Sequence, residues 1–349
     1  MATITKRSKN SWRAVVSLYK HGEYKRLSKT FKTKADAKRW TLENELLKGK
    51  GKDLVQRETA FADFFEQWVH IVKKKDVRET TFQNYLITVA IVKRLFKDIK
   101  LKNLNDLVVQ LKIDEYAETH SRKTTTEVLL KIRTALRYAY ARGLLDNDFA
   151  NLIKTRGKDL PKRNKALSIT ELKLLRKYLL DNSDKEFHIL VLLAIETGAR
   201  RGELLGITPE AIYEYGVRIE QSISPTSNDN QLKTKHSFRE ISINKDVYDL
   251  LKTISPKENG YLFDWEGFHQ SAQLQTLLEE IGISKTTFHG LRDTHASFLF
   301  SENISLDYVS RRLGHNSVLT TQNYYLELMP EKKHQHDADA LNLLNSLSN

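Results

Sequence analysis

The stretch that decides the fold runs from residue 289 to residue 325 and reads HGLRDTHASFLFSENISLDYVSRRLGHNSVLTTQNYY. Three polar groups stand out in it, namely His289 to His295, the triplet Leu313-Gly314-His315, and the pair Tyr324 and Tyr325. Residues 308–312 are predicted to form a helix that ends at Gly314, because glycine is a common helix terminator. The stretch therefore predicts helices that present basic and aromatic side chains at their ends.

Each polar group has two interpretations. His289 and Arg292 are three residues apart, so a helix would place both side chains on one face, where they could hold a phosphate or line a protein interface. Tyr324 follows His315 by nine residues, although paired tyrosines are commonly packing residues. The spacing alone leaves these alternatives open.

A second motif, Thr197-Gly-Ala-Arg-Arg-Gly-Glu203, follows the apolar run 189–195, which predicts a buried helix. Gly198 permits a sharp turn after that helix. Arg200 would then lie at the mouth of a packed core, either as an anion-binding group or as a surface salt-bridge partner. Arg201 is expected to be structural.

The pattern along the chain predicts separate domains. Apolar spacing favours a four-helix domain over residues 59–153, with the last helix ending at Gly143. Residues 154–165 carry six basic residues and predict an interdomain linker. Ser168 and Glu171 then form a capping box that opens the next domain, residues 166–330. Short β-like runs at 217–223 and 238–243 interrupt its helices.

The N-terminal segment is strongly basic. Residues 1–40 hold 12 Lys and Arg against Glu23 and Asp36, so most of the net charge of +13 lies there. Such a segment gains affinity for nucleic acid through counterion release, which favours a DNA partner over a membrane or an acidic protein. Two β-like runs joined at residues 21–23, and a helix capped by Thr33, predict a small folded module over residues 1–52.

Composition excludes several classes. A chain of 349 residues with 40% apolar residues and few glycines and prolines is long enough for two or three globular domains. The chain has no cysteine, which excludes disulfides and thiolate chemistry and fits a reducing cytoplasm. No apolar run approaches the roughly 20 residues that span a bilayer, so we expect no membrane association.

The joint order of these motifs closely resembles the tyrosine recombinase family, also called phage integrases or site-specific recombinases. The resemblance implies a catalytic set in which two arginines and a histidine hold the phosphate, a second histidine or a neighbouring group accepts the proton of the attacking tyrosine, a hairpin lysine acts as acid and that tyrosine is the nucleophile. The matching residues are Arg200, Lys233, His289, Arg292, His315 and Tyr324, with Glu203 in support. Lys235 competes with Lys233, and Tyr325 competes with Tyr324.

The resemblance also implies the architecture. We expect a mainly helical α+β fold: an N-terminal three-stranded sheet with a helix (residues 1–52, arm-type DNA binding), a four-helix core-binding domain (59–153) and a mixed catalytic domain (166–330). The tail, 331–349, would be a helix that packs on a neighbouring protomer or on its own domain. The basic residues expected to contact DNA are Lys25, Arg26, Lys29, Lys32, Lys34, Arg122, Lys123 and Arg156.

The function implied is integration or excision of a mobile element through a 3′-phosphotyrosine intermediate and a Holliday junction, in the cytoplasm of a bacterial host. The expected partners are double-stranded DNA with core and arm sites, three further copies of the chain, and, as accessories, a host DNA-bending protein and an excision factor. No metal or other cofactor is expected. The alternatives are a type IB topoisomerase, against which the basic N-terminal module argues, and a non-catalytic DNA-binding regulator.

Overall fold

The computed structural model describes residues 2–20, 23–50, 53–159, 166–224, 238–265 and 268–315, together with residues 317, 319, 321, 322, 341, 344 and 345. The chain forms two compact units, residues 1–161 and residues 162–349. Each unit combines helices with a three-stranded antiparallel sheet, so the predicted α+β class is confirmed. Within the described ranges, no helix combines the length and apolar character needed to cross a bilayer.

The first unit opens with the predicted sheet and helix. Its strands pair in chain order, β1 (Ala2–Ser8), β2 (Ser11–Lys20) and β3 (Glu23–Phe31), and α1 (Lys34–Gly49) follows them. Thr33 caps α1 as predicted, because its hydroxyl accepts the backbone N–H of Asp36. Ala14 and Val16 alternate along β2 and are fully buried. The sheet therefore has one face against α1 and one open face.

Helices complete the first unit. They are α2 (Leu54–Arg57), α3 (Phe61–Trp68), α4 (Lys74–Asp76), α5 (Glu79–Phe96), α6 (Asp106–Ala117) and α7 (Arg122–Ala141). The predicted aromatic stripes are core, since Phe61, Phe65 and Phe96 are fully buried. Helix α7 starts at Arg122 because the Ser121 hydroxyl accepts the backbone N–H of Thr124 and caps the helix there.

The beginning of the predicted linker is fastened to these helices. The side-chain amide of Gln110 accepts the backbone N–H of Lys154 at 2.7 Å and donates to its carbonyl at 3.1 Å. Farther on, the backbone N–H of Arg122 donates to the Lys158 carbonyl at 3.0 Å. Gly157 has φ +112°, and a Cβ there would fall 2.9 Å from the Arg122 nitrogen. Residues 154–159 thus belong structurally to the first unit, and residues 160–165 lie outside the described ranges.

The second unit packs its helices around a central buried one. Its elements are α8 (Ile169–Asp181), α9 (Glu186–Thr197), α10 (Arg201–Leu205), β4 (Ile212–Tyr213), β5 (Gly216–Ile219), β6 (Arg239–Ser242), α11 (Lys245–Thr253), α12 (Gln270–Ile281), α13 (Phe288–Ser301) and α14 (Leu306–Leu313). Ser168 and Glu171 form the predicted capping box at α8. Helix α9 is buried along residues 188–195, as its apolar run predicts, and packs against α13.

Candidate active site

Arg200 is presented by a tight turn between α9 and α10. Gly198 ends α9 in the left-handed conformation, with φ +64°. The backbone N–H of Arg200 donates to Glu203 Oε2 at 2.9 Å, and its Nη1 donates to Glu203 Oε1 at 2.8 Å. The Arg200 side chain is 43% exposed, whereas that of Glu203 is 3% exposed. A buried carboxylate thus holds a guanidinium that still reaches the surface.

Glu203 is ionised although it is buried. Burial raises the pKa of its carboxyl, but the charges and hydrogen bonds of Arg239 and Arg200 outweigh burial and hold that pKa below its ordinary value. Arg239 contributes a second ion pair, from Nη2 to Glu203 Oε2 at 2.8 Å. The carboxylate therefore lies between two arginines.

Arg292 joins the two motifs that the sequence singles out. It lies on α13 and is 2% exposed. Its Nη1 donates to the Gly198 carbonyl at 2.9 Å, and its Nη2 donates to the Leu313 carbonyl at 2.8 Å. The guanidinium consequently ties the turn before Arg200 to the loop before His315.

His315 follows α14 through Gly314, whose φ of +68° is again left-handed. Its Nδ1 lies 2.6 Å from the Thr321 hydroxyl, and its backbone N–H donates to the Ser310 carbonyl at 3.1 Å. Burial is the largest cause that lowers the pKa of His315 to about 4. The further causes are positive charges close to the ring, those of Arg292, Arg200, Arg239 and His289.

These charges show which predicted residues the structure brings together. Arg200, His289 and Arg292 all act electrostatically on His315, so four of the six expected catalytic residues share one site in the second unit. His289 is in the first turn of α13, with its side chain 58% exposed and its Nε2 4.0 Å from Asp293 Oδ1. The other two expected residues, Lys233 and Tyr324, and their alternatives Lys235 and Tyr325, lie outside the described residues.

Three further side chains build the site without having been identified from the sequence as part of it. Arg312 donates from Nε to His295 Nε2 at 3.1 Å, and from Nη2 to the carbonyls of Glu196 and Ser242 at 2.9 and 3.0 Å. Burial first, then the charge of Arg312, lowers the pKa of His295 to about 3. His295 is therefore a neutral, hydrogen-bonded core residue. The third side chain is Arg239. The sequence does indicate that it faces inward, since residues 239, 241 and 243 alternate with outward-facing ones.

The basic residues expected to contact DNA lie in the first unit, and the sheet register separates two of them by face. Lys29 pairs with Ala14, so it belongs to the face that packs on α1, whereas Arg26 pairs with Ser17 on the open face. The remaining expected residues are exposed, as are these two; they are Lys25, Lys32, Lys34, Arg122, Lys123 and Arg156. Lys34 lies over the Trp12 ring, and Arg122 pairs with Asp159 at 3.3 Å.

Comparison with known proteins agrees with this arrangement. The family model described as "Phage integrase family" matches residues 183–331. A tyrosine recombinase XerC-like protein of Caldanaerobacter subterraneus subsp. tengcongensis is 24% identical, over 98% of this chain and 97% of that protein. The integrase of Staphylococcus phage L54a is 24% identical over 76% of this chain and 88% of its own length.

Solved structures show the same fold. The Tn1549 transposon integrase bound to transposon right-end DNA gives a TM-score of 0.61 at 15% identity, over 76% of this chain and 95% of that chain. A lambda integrase dimer on a core site gives 0.59 at 16% identity, over 92% and 93% of the two chains. A family model over residues 183–331, relatives matched over most of the chain and a shared fold together support the tyrosine recombinase family for this protein.

Proposed function

We propose that the protein is an integrase, a site-specific recombinase that cleaves and rejoins double-stranded DNA through a 3′-phosphotyrosine at Tyr324. One observation carries the proposal. Arg200, Arg292 and His289, contributed by two separate helices, converge around His315, and the permanent positive charge of the two arginines suits a phosphodiester.

The arginines would stabilise the pentacoordinate phosphorus of the transition state. Negative charge on the two non-bridging oxygens grows as the phenol oxygen attacks, and a guanidinium meets such oxygens with a pair of parallel donors. The Arg200 side chain reaches the surface, and its ion pair with the buried carboxylate of Glu203 fixes its position. Arg292 is rigid because two backbone carbonyls hold it.

His315 would act as a neutral hydrogen-bond donor. A ring whose pKa is about 4 carries no charge at neutral pH. If Nδ1 accepts the Thr321 hydroxyl hydrogen, the ring proton is on Nε2, from which it can be donated to a phosphate oxygen. The structure thus favours donation over proton abstraction for this residue.

Proton transfer would fall to the remaining residues. The Tyr324 oxygen attacks phosphorus, its proton passes to His289 or a neighbouring group, and the bond from phosphorus to the 5′ oxygen breaks. Lys233, or Lys235 in its place, would protonate the departing 5′ oxygen. Reversal of these steps with the 5′ hydroxyl of another strand rejoins the DNA. The proposal needs no external energy source, because the covalent phosphotyrosine conserves the bond energy, and it needs no metal, because Arg200 and Arg292 supply the positive charge at the phosphate.

The wider assembly follows from the family resemblance. Four protomers would act on two core sites and exchange strands through a Holliday junction, while the basic sheet module of residues 1–52 would bind arm sites. The lambda integrase is known as a tetramer bound to a Holliday junction, which supports this part of the proposal. A host DNA-bending protein and an excision factor remain accessory partners in it.

The test is covalent trapping. Nicked duplexes tiled across the DNA that flanks the gene are incubated in EDTA with wild-type protein, with Tyr324→Phe and with Tyr325→Phe as the matched control. We expect an adduct with wild type and Tyr325→Phe but none with Tyr324→Phe, although that variant still binds DNA. Binding without any adduct would favour a DNA-binding regulator, and an adduct that persists in Tyr324→Phe would move the nucleophile.

A further inference from the structure

We propose that Arg239 is a positioning residue of the active site, which fixes Arg200 and His315 relative to each other by clamping Glu203 and the loop that carries His315. This inference rests on the proposed recombinase function and adds a residue to its site. In this proposal Arg239 does not contact the substrate and acts through Glu203 and the loop that carries His315.

The first contact of Arg239 is with the carboxylate that holds Arg200. Its Nη2 donates to Glu203 Oε2 at 2.8 Å, and the same oxygen accepts the Arg200 backbone N–H at 2.9 Å. The side chains of Arg239 and Glu203 are 7% and 3% exposed. Arg200 reaches both oxygens of this carboxylate, and Arg239 adds a second cation on Oε2, so loss of Arg239 would leave the buried charge with one cation instead of two.

The second contact is with the loop before His315. Arg239 Nε donates to the Arg312 carbonyl at 2.7 Å, two residues before Gly314. Its guanidinium also lies under Gly314, where an added Cβ would fall 2.9 Å from Nη1 and 3.2 Å from Cζ. Glycine at 314 therefore allows both the left-handed turn and the close approach of the arginine. Through these contacts the Arg239 side chain supports the backbone that positions His315.

The guanidinium shape is essential to this role. One planar group donates from Nε to a carbonyl and from Nη2 to a carboxylate 36 residues away in sequence, so two elements are held at a fixed angle. A lysine would keep the charge but would donate from one atom. Arg239 is also the first residue of β6, six residues after Lys233 in the sequence.

Single-turnover cleavage of a nicked core site tests the role in the full chain. Arg239→Lys should bind DNA normally and melt near the wild-type temperature, yet cleave about 10- to 100-fold more slowly, the usual cost of losing a group that orients active-site residues. Arg218→Lys is the matched control, because Arg218 lies on the adjacent strand and pairs with Glu220 and Glu240 at a half-exposed surface. Cleavage by Arg239→Lys at the wild-type rate would overturn the proposal.

A second measurement does not depend on cleavage. In the Tyr324→Phe background, histidine NMR should show a higher pKa for His315 in Arg239→Gln than in the parent, because one of the neighbouring positive charges is lost, and no change in Arg218→Gln. If the Arg239 variants unfold, the Nε–H of Arg239 in the parent protein should still exchange slowly with solvent. An unchanged His315 titration, or rapid exchange of that Nε–H, would overturn the clamp. Wild-type protein that never cleaves DNA would instead count against the recombinase function.

Discussion

Replacing Gly198 with alanine should destabilise the second unit and stop cleavage. Alanine at φ +64° costs roughly 1–2 kcal/mol in backbone conformation. Its Cβ would also fall 2.6 Å from His295 Cδ2 and 2.8 Å from Leu313 Cδ2, both in the packed interior. Overpacking of that kind costs roughly 1–3 kcal/mol, so the expected loss is about 2–5 kcal/mol in the free energy of unfolding.

Gly282→Ala separates the cost of the left-handed backbone conformation from the cost of overpacking. Gly282 also ends a helix of the second unit in the left-handed conformation, with φ +77°, but a Cβ there would meet nothing within 4 Å. Urea unfolding gives both free energies when it is followed by fluorescence in a background with Trp12, Trp40 and Trp68 replaced by Phe, which leaves Trp265 in the second unit as the reporter. Gly198→Ala should be less stable than Gly282→Ala by about 1–3 kcal/mol, the overpacking alone.

Cleavage should separate the two variants further. The Gly198 carbonyl accepts Nη1 of Arg292, and Arg200 is two residues farther along the chain. A shift of this turn would move both proposed phosphate ligands, so Gly198→Ala should lose cleavage while Gly282→Ala retains it. Equal stabilities and equal cleavage rates in the two variants would refute this role of Gly198.

Three further outcomes are expected. The rate of cleavage should show no step due to His315 between about pH 5 and 8, where free histidine titrates, since its pKa is about 4; a step that disappears in His315→Gln would contradict this. The stability contributed by neutral His295 should be complete above pH 6.5 and be lost as pH falls towards 3, because the unfolded chain takes up the proton first. Urea titrations of wild type and His295→Gln should accordingly converge at acid pH, and a constant difference would exclude the linkage. Deletion of residues 1–52 should abolish integration at full attachment sites but leave weak cleavage at core sites, as measured by recombination and adduct assays; unchanged integration would show that the module binds no arm site.

Local signals in the sequence were enough for much of the fold. Thr33 and Ser168 cap their helices because a cap involves residues only three positions apart. The apolar run 189–195 can only be buried, and it forms the middle of α9. Glycines 198 and 314 end helices in the left-handed conformation that their residue type permits. Each of these predictions depends on neighbours within one or two turns.

The network around the site depends on distant residues, which is why the sequence revealed less of it. Arg239 meets Glu203 and Arg312, 36 and 73 residues away. The alternation along β6 places Arg239 on the inward side, whereas Arg218 pairs with exposed carboxylates on the adjacent strand, but nothing local to Arg239 shows which residues it meets. The linker is a similar case, because Gln110 fastens Lys154 from 44 residues away. Such contacts are settled by the packing of helices, and composition and spacing do not encode them.

In the proposed reaction Tyr324 becomes covalently joined to the 3′ phosphate of cleaved DNA. Mass spectrometry of the trapped adduct, after digestion with protease and nuclease, tests it most directly. The peptide that contains residues 324 and 325 should carry a nucleotide, with fragmentation that places the phosphate on Tyr324 and leaves a free 5′ hydroxyl on the released strand. A nucleotide on Tyr325, or a 3′ hydroxyl with the phosphate on the 5′ side, would contradict the account.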